Sequence, residues 1–242
     1  DYIHAIRDRM AERFDIVHFA SLGPRADAAV DVALVEGSVS TSADVERLRR
    51  LRARSTFLVA LGAWAISGGL QSLRRLARDG RHWPIGLYAH PEWLDLLDTP
   101  VHLARHVRVD AVLQGCPIDR RELVPLLCDY LAGVATRPER RPVCMQCKAA
   151  GVICLLVARG AHCLGPVTRA GCGALCPRAG RACYGCFGPA DLANVSSLAA
   201  RLTSLGLAPD EIARRFTFVA GDVEAFQEAG RAGPPPGGPE TP

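Results

Sequence analysis

Eight cysteines fall between positions 144 and 186, and no other feature limits what this chain can become so severely. They are Cys144, Cys147, Cys154, Cys163, Cys172, Cys176, Cys183 and Cys186, with gaps of two, six, eight, eight, three, six and two residues. A Cys-x-x-Cys pair brings two thiolates to one metal centre from a tight turn, and more distant cysteines complete four-fold coordination. Eight thiolates make two complete sets. Taken in chain order, Cys144, Cys147, Cys154 and Cys163 form one and Cys172, Cys176, Cys183 and Cys186 the other. Interleaved sets satisfy the spacing as well. Glycines 151, 160, 165, 171, 173, 180, 185 and 188 crowd the same segment. They suit a backbone that wraps closely and points N–H groups at sulfur, which helps to set a reduction potential.

Disulfides, structural zinc and iron–sulfur clusters all use clustered cysteines. A disulfide framework usually staples a small domain with no core of its own. This chain has 242 residues, 49% of them apolar, and no cysteine before Cys116. It has an ordinary core elsewhere, so the clustered pairs favour metal. Iron–sulfur is the preferred reading, and two zinc sites of four cysteines each are the rival. His162 stands beside Cys163 as a bystander. A net charge of +4, with Lys148 the only lysine, gives no footprint for nucleic acid. No stretch reaches the roughly 18–20 apolar residues of a membrane span.

Before the cysteines the pattern alternates. Apolar strand-like runs are predicted at Phe14–Ala20, Val30–Val35, Thr56–Leu61, Pro84–Tyr88 and Val109–Leu113. Helices are predicted from Ser42, as N-cap with Glu46 in the first turn, to about Arg52, and over Gly69–Ala77 and Arg120–Ala135. Repeated strand–loop–helix units imply an α/β fold, a parallel sheet with helices on both faces. Its sites belong at the carboxyl ends of the strands, here Glu36-Gly37-Ser38, Gly62-Ala63-Trp64 and Gly115-Cys116-Pro117. A polar, proline-bearing linker follows at 136–142. The predicted division is an α/β domain over 1–138, an iron–sulfur domain over 139–220 and a flexible tail over 221–242. The second domain includes return helices at Ser196–Leu205 and Asp210–Phe216.

The run Cys163-Leu-Gly-Pro-Val-Thr-Arg-Ala-Gly-Cys172-Gly-Ala-Leu-Cys176-Pro, then Cys183-Tyr-Gly-Cys186-Phe-Gly-Pro, resembles the small subunit of cytosolic nickel–iron hydrogenases. The nearest branch is the sulfhydrogenase delta and methyl-viologen-reducing type, related to the complex I 20 kDa subunit. Val35-Glu36-Gly37-Ser38-Val39, Leu61-Gly62-Ala63 with Gly68-Gly69, and Gly115-Cys116-Pro117 match in the same order. The resemblance implies a flavodoxin-like domain followed by a small irregular iron–sulfur domain. It implies two [4Fe–4S] clusters, medial on the set from Cys172 and distal on the set from Cys144. It also implies a hydrogenase large subunit as partner, further flavin and iron–sulfur subunits that accept electrons for NAD(P) or another acceptor, and a cytoplasmic place of work.

The same resemblance implies a third, proximal cluster, and here the chain departs from it. The family draws those ligands from an N-terminal Cys-x-x-Cys, a cysteine after the third-strand glycine and the cysteine of Gly-Cys-Pro. Cys116 fills the last role. The pair is absent, as expected of a truncated N-terminus, and Trp64 stands in the third place. Tryptophan has no thiolate, and its N–H only donates. Three accounts stay open: an altered cluster with three cysteines or a foreign ligand, no cluster, or an erroneous residue 64.

Glu36, Gly37 and Gly62, at the strand ends, are the candidate cofactor-facing positions. Glu36 either handles protons or a hydrogen bond there, or is a loop carboxylate. Cys128, within an apolar helix, reads as a small buried hydrophobe. His82, His90 and His102 read as surface or loop residues. No nucleophilic triad or carboxylate pair stands out, so no catalytic residue is expected in this chain.

Overall fold

A computed structural model describes residues 14–18, 28–76, 86–97, 101–135 and 139–231. The β-branched run VDVALVE forms β1, Val30–Glu36. The chain then turns into α1, Ser42–Ala53, capped by Thr41. It returns as β2, Ser55–Leu61, and passes directly into α2, Gly62–Ser67. A 3-10 helix over Gly69–Leu76 follows. After the 101–110 connection come β3, Ala111–Leu113, and α3, Arg120–Leu131.

The described strands form one parallel sheet in the order β1-β2-β3, with Glu36 opposite Leu61 and Leu61 opposite Leu113. The period-2 alternation of β2 decides what covers each face. Val59 and Leu61, with Phe57, pack with Leu113 against Leu123, Leu126 and Leu127 of α3. Leu58 and Ala60 point the other way, packing with Ala33, Leu103 and Leu48 of α1. Both faces are therefore covered by helices, and all three strands end on one edge.

Several expectations need correction. Phe14–His18 keeps an extended alternation, with Phe14 and Ile16 half-buried and Asp15 and Val17 exposed, but joins no strand; residues 19 and 20 lie outside the described residues. Of Pro84–Tyr88, residues 86 and 87 form a turn, Tyr88 is irregular, and 84 and 85 lie outside the described residues. The N-cap of α1 is Thr41, not Ser42, because Asp44 completes a reciprocal capping box with it. Glu46 pairs with Arg50 instead. Cys128 is exposed: Leu123, Leu126 and Leu127 define the buried stripe of α3, and Cys128 joins Val124 on the opposite side.

The cysteine segment is built on short helices α4, Val143–Ala149, α5, Leu155–Ala158, and α6, Leu175–Arg178. Its spine is Val167–Ala170. On one side Val143 N–H donates to Thr168 and Ala170 N–H to Arg141; on the other Arg169 N–H donates to Gly188 and Ala190 N–H to Val167. Beneath it lie α7, Val195–Ser204, α8, Pro209–Ala220, and α9, Glu224–Arg231. Leu164 and Val167 of the segment pack into one core with Leu198, Leu202, Phe216 and Phe226. The tail expected from residue 221 is thus displaced. Phe226 and Ala229 are buried one helical turn apart, and only 232–242 lie outside the described residues. The same helices reach the sheet body: Asp222 N–H donates to the Ser67 carbonyl, and Gly221 lies on Ser72. No helix among the described residues is long and apolar enough to cross a membrane.

Candidate metal centre

Cys144 and Cys147 stand three residues apart on α4, a spacing that puts two side chains on one helix face. Cys154 is the N-cap residue of α5. Cys163 arrives from the loop that follows and is buried. The Cys144 thiol feels Cys163, Cys147 and Cys154, so these four share one neighbourhood. A Cβ on Gly165 would stand 3.4 Å from the Cys163 sulfur and 3.6 Å from that of Cys144. The bare glycine lets the chain pass close against both.

The other four are less cleanly separated. Cys186 feels Cys172 and Cys176, and also Cys116. Cys183 feels both Cys163 and Cys186, and its N–H donates to the Cys163 sulfur at 3.2 Å. The Cys163–Cys183 contact lies on the seam between the two neighbourhoods, and Cys147 near Cys172 and Cys176 near Cys163 cross it too. Gln146, inside the first Cys-x-x-Cys, crosses the same seam: its Oε1 accepts from Gly171 N–H at 3.2 Å and Ala174 N–H at 3.3 Å.

Burial pushes the thiols upward, Cys144 and Cys186 to about 11 and Cys183 to about 12, and the neighbouring thiols push the same way. Cys147 and Cys176 are raised for the same reasons. Against this work the Gly185 amide and Thr168 at Cys183, and the Cys116 amide at Cys186. Coordination to a metal would remove such protons outright. The donor set, thiols alone with the Cys163 and Cys144 sulfurs brought against bare Gly165, fits thiolate-bound metal. Among the described residues, no three His, Cys, Asp or Glu side chains converge as a lone metal ion would hold them.

The strand-end positions meet at one place. Ala63 N–H donates to the Gly115 carbonyl at 2.8 Å. Gly62 has φ of +75°, and a Cβ there would stand 3.1 Å from that carbonyl. Gly37 has φ of +98° with open space around it, and Glu36 is exposed at the end of β1. Cys116 is exposed, with its amide facing Cys186. Trp64 turns its indole onto Gly69, where a Cβ would come within 2.7 Å of the ring. It supplies packing at the position where the resemblance leads one to expect a sulfur ligand. The residues present do not fit a four-cysteine proximal cluster.

Two residues near the cysteines were missed in the sequence. Glu122 on α3 brings its carboxylate to Gly171, beside Cys172, and burial followed by Asp119 and Glu139 raises its pKa. Phe187 is wedged between Gly115 and Gly171. Neither belongs to a spacing pattern; Phe187's place directly after Cys186 was the available signal. Of the histidines, His90 is exposed and stacks on Trp93, whereas His102 pairs with the buried Asp222; His82 lies outside the described residues. His162 offers its carbonyl to Arg215 at 2.8 Å.

Residues 1–130 match the family model of the NADH ubiquinone oxidoreductase 20 kDa subunit. The delta subunit of sulfhydrogenase 2 from Pyrococcus furiosus is 36% identical over 212 residues, covering 87% of this chain and 88% of that protein. A subunit of the F420-non-reducing hydrogenase of Methanocaldococcus jannaschii is 29% identical over 225 residues, covering 78% of each. A chain of an NAD+-reducing [NiFe]-hydrogenase superposes with a TM-score of 0.49 at 28% identity, over 56% of this chain and 83% of that one. The family match and the delta-subunit relative each span more than half of this chain. The chain belongs to the NADH–ubiquinone oxidoreductase 20 kDa subunit family, among its hydrogenase small subunits.

Proposed function

We propose that this chain passes electrons through two [4Fe–4S] clusters, one on Cys144, Cys147, Cys154 and Cys163 and one on Cys172, Cys176, Cys183 and Cys186. It does so as the small subunit of a cytoplasmic nickel–iron hydrogenase. The observation that carries the reading is the gathering of eight thiols into two adjoining neighbourhoods joined at Cys163 and Cys183. Such clusters, once bound, exchange single electrons, and adjoining sites make a relay. The protein's own part is to hold the sulfurs, aim N–H groups at them and exclude water. The set from Cys172 adjoins the strand-end edge and faces the large subunit. The set from Cys144, with Cys154 exposed, faces the flavin and iron–sulfur subunits that take electrons onward to NAD(P) or another acceptor. The reading also divides the chain into an α/β body and an iron–sulfur unit beginning near residue 139.

A second reading is favoured by Trp64. A hydrogenase-like relay or scaffold without a normal proximal cluster would keep both C-terminal sites and do no hydrogen chemistry. Anaerobic purification with iron, sulfide and zinc analysis tests the first claim: about eight irons and eight sulfides per chain are expected for two such clusters. A colourless protein with two zincs would instead mean a zinc-stabilised interaction module. The two cluster readings separate on the partner: a co-purifying large subunit without its paired Cys-x-x-Cys nickel ligands excludes hydrogen as substrate.

A further inference from the structure

Phe187 follows Cys186 directly and is 2% exposed. Its ring lies between two glycines from distant parts of the chain. A Cβ on Gly115 would stand 2.6 Å from Cε2 and 2.8 Å from Cζ; one on Gly171 would stand 2.7 Å from Cε1 and 3.1 Å from Cδ1. The nearest approach at each glycine, 2.6 Å and 2.7 Å, is shorter than real Cβ contacts allow, so each presents bare backbone to the ring. Their φ angles, +120° and +139°, also lie where L side chains are strained. The two ring edges are thus seated by two independent backbone demands.

What the ring touches gives it a role. Gly115 precedes Cys116, Gly171 precedes Cys172, and Phe187 itself is bonded to Cys186. One side chain therefore spans the β3 loop of the sheet body and two cysteines of the second set. Its own backbone cannot drift, because Gly188 N–H donates to Gly185 and Arg169 N–H to Gly188, both at 2.9 Å. Gly171 N–H is fixed by Gln146. Moving or shrinking the ring therefore opens space at Gly115 and Gly171, the residues that precede Cys116 and Cys172.

We propose that Phe187 is a positioning residue: wedged between Gly115 and Gly171, it fixes Cys116 and Cys172 relative to Cys186 and keeps water from the sulfurs of the second set. The apolar shell around a metal site controls solvent access and local dielectric, and through them the reduction potential. Water dipoles admitted to the sulfurs favour the reduced, more negatively charged cluster, so a smaller side chain makes that potential less negative. The proposal rests on the cluster assignment above.

The test is a graded series, Phe187→Leu, Phe187→Val and Phe187→Ala, in the full chain purified anaerobically with its native partner subunits. Iron content is measured, and each cluster is followed in an EPR-monitored redox titration. The expected result is a shift to less negative potential that grows as the side chain shrinks and is confined to one of the two clusters. Should Phe187→Ala lose iron, the Leu and Val variants carry the comparison. Unchanged potentials in variants that keep their iron, or equal shifts of both clusters, would overturn the proposal. A wild-type protein without about eight irons per chain would fail the cluster assignment itself, which is a separate result.

Discussion

Asp110 shows how one side chain joins elements that the sequence leaves far apart. It precedes β3, yet its carboxylate accepts from the Leu58 N–H of β2 at 2.8 Å and pairs with Arg52 at the end of α1. Burial works to raise this carboxyl, but the Leu58 amide, Arg52 and Arg108 outweigh it and hold it below the ordinary aspartate range. A depressed carboxyl contributes stability that is present above its unfolded value, near pH 3.9, and is lost as pH falls through its folded value. Asp110→Asn is therefore expected to cost about 1–3 kcal/mol at pH 7. Its thermal midpoint should converge on that of the wild type as the wild-type carboxyl protonates below about pH 4. A deficit that persists undiminished at low pH would contradict this account. Cys128 supplies the opposite case. Being exposed, Cys128→Ser should change stability by no more than about 0.5 kcal/mol, and the thiol should alkylate readily in the folded protein. A protected thiol and a large loss would restore the buried reading.

At the scale of elements, β2 was legible as a continuous apolar run from Thr56 to Leu61, because both of its faces are covered. α9 was not legible. Glu224–Arg231 is eight residues long and contains a glycine, and it precedes a Pro- and Gly-rich end. Its local propensity is weak, and what makes it a helix is the seat of Phe226 edge-on against Phe216, ring centroids 5.6 Å apart. Phe216→Ala should therefore cost about 3–5 kcal/mol and release α9 along with α8. Hydrogen exchange would show it as lost protection in both helices; loss in α8 alone would mean that α9 is held by other contacts. The cysteine sites divide in the same way. That eight cysteines gather in one segment was legible in their spacing; how they share out between two sites was not, since interleaved sets satisfy the spacing as well. The seam at Cys163 and Cys183 and the wedge of Phe187 were not legible either, because they arise where segments from different parts of the chain are folded against one another.

The whole molecule is a sheet body and a cysteine segment with three C-terminal helices set against both. Leu164 and Val167 lend the segment to the helical core, while Ser67, Ser72 and His102 meet the same helices from the sheet side. The sheet has its own covered faces, whereas the segment between 144 and 186 is built on helices of four to seven residues and leaves six of its eight cysteines at least partly exposed. Stripping the metal anaerobically with a chelator should therefore open the segment first. Trypsin should then cut at the exposed Arg159, Arg178 and Arg181 well before the sheet body is attacked. Simultaneous digestion of both parts would show that the segment is not a separate cooperative unit. Trp64 has a consequence of another kind. Its indole lies over Gly69 next to the buried turn of Gly68 and Gly69, a seat shaped by an aromatic ring. Trp64→Cys would leave that seat unfilled, at a stability cost of about 1–3 kcal/mol. Ordinary packing thus works as a ratchet at position 64: a change to a smaller side chain is opposed by the fold, whatever chemistry it would add.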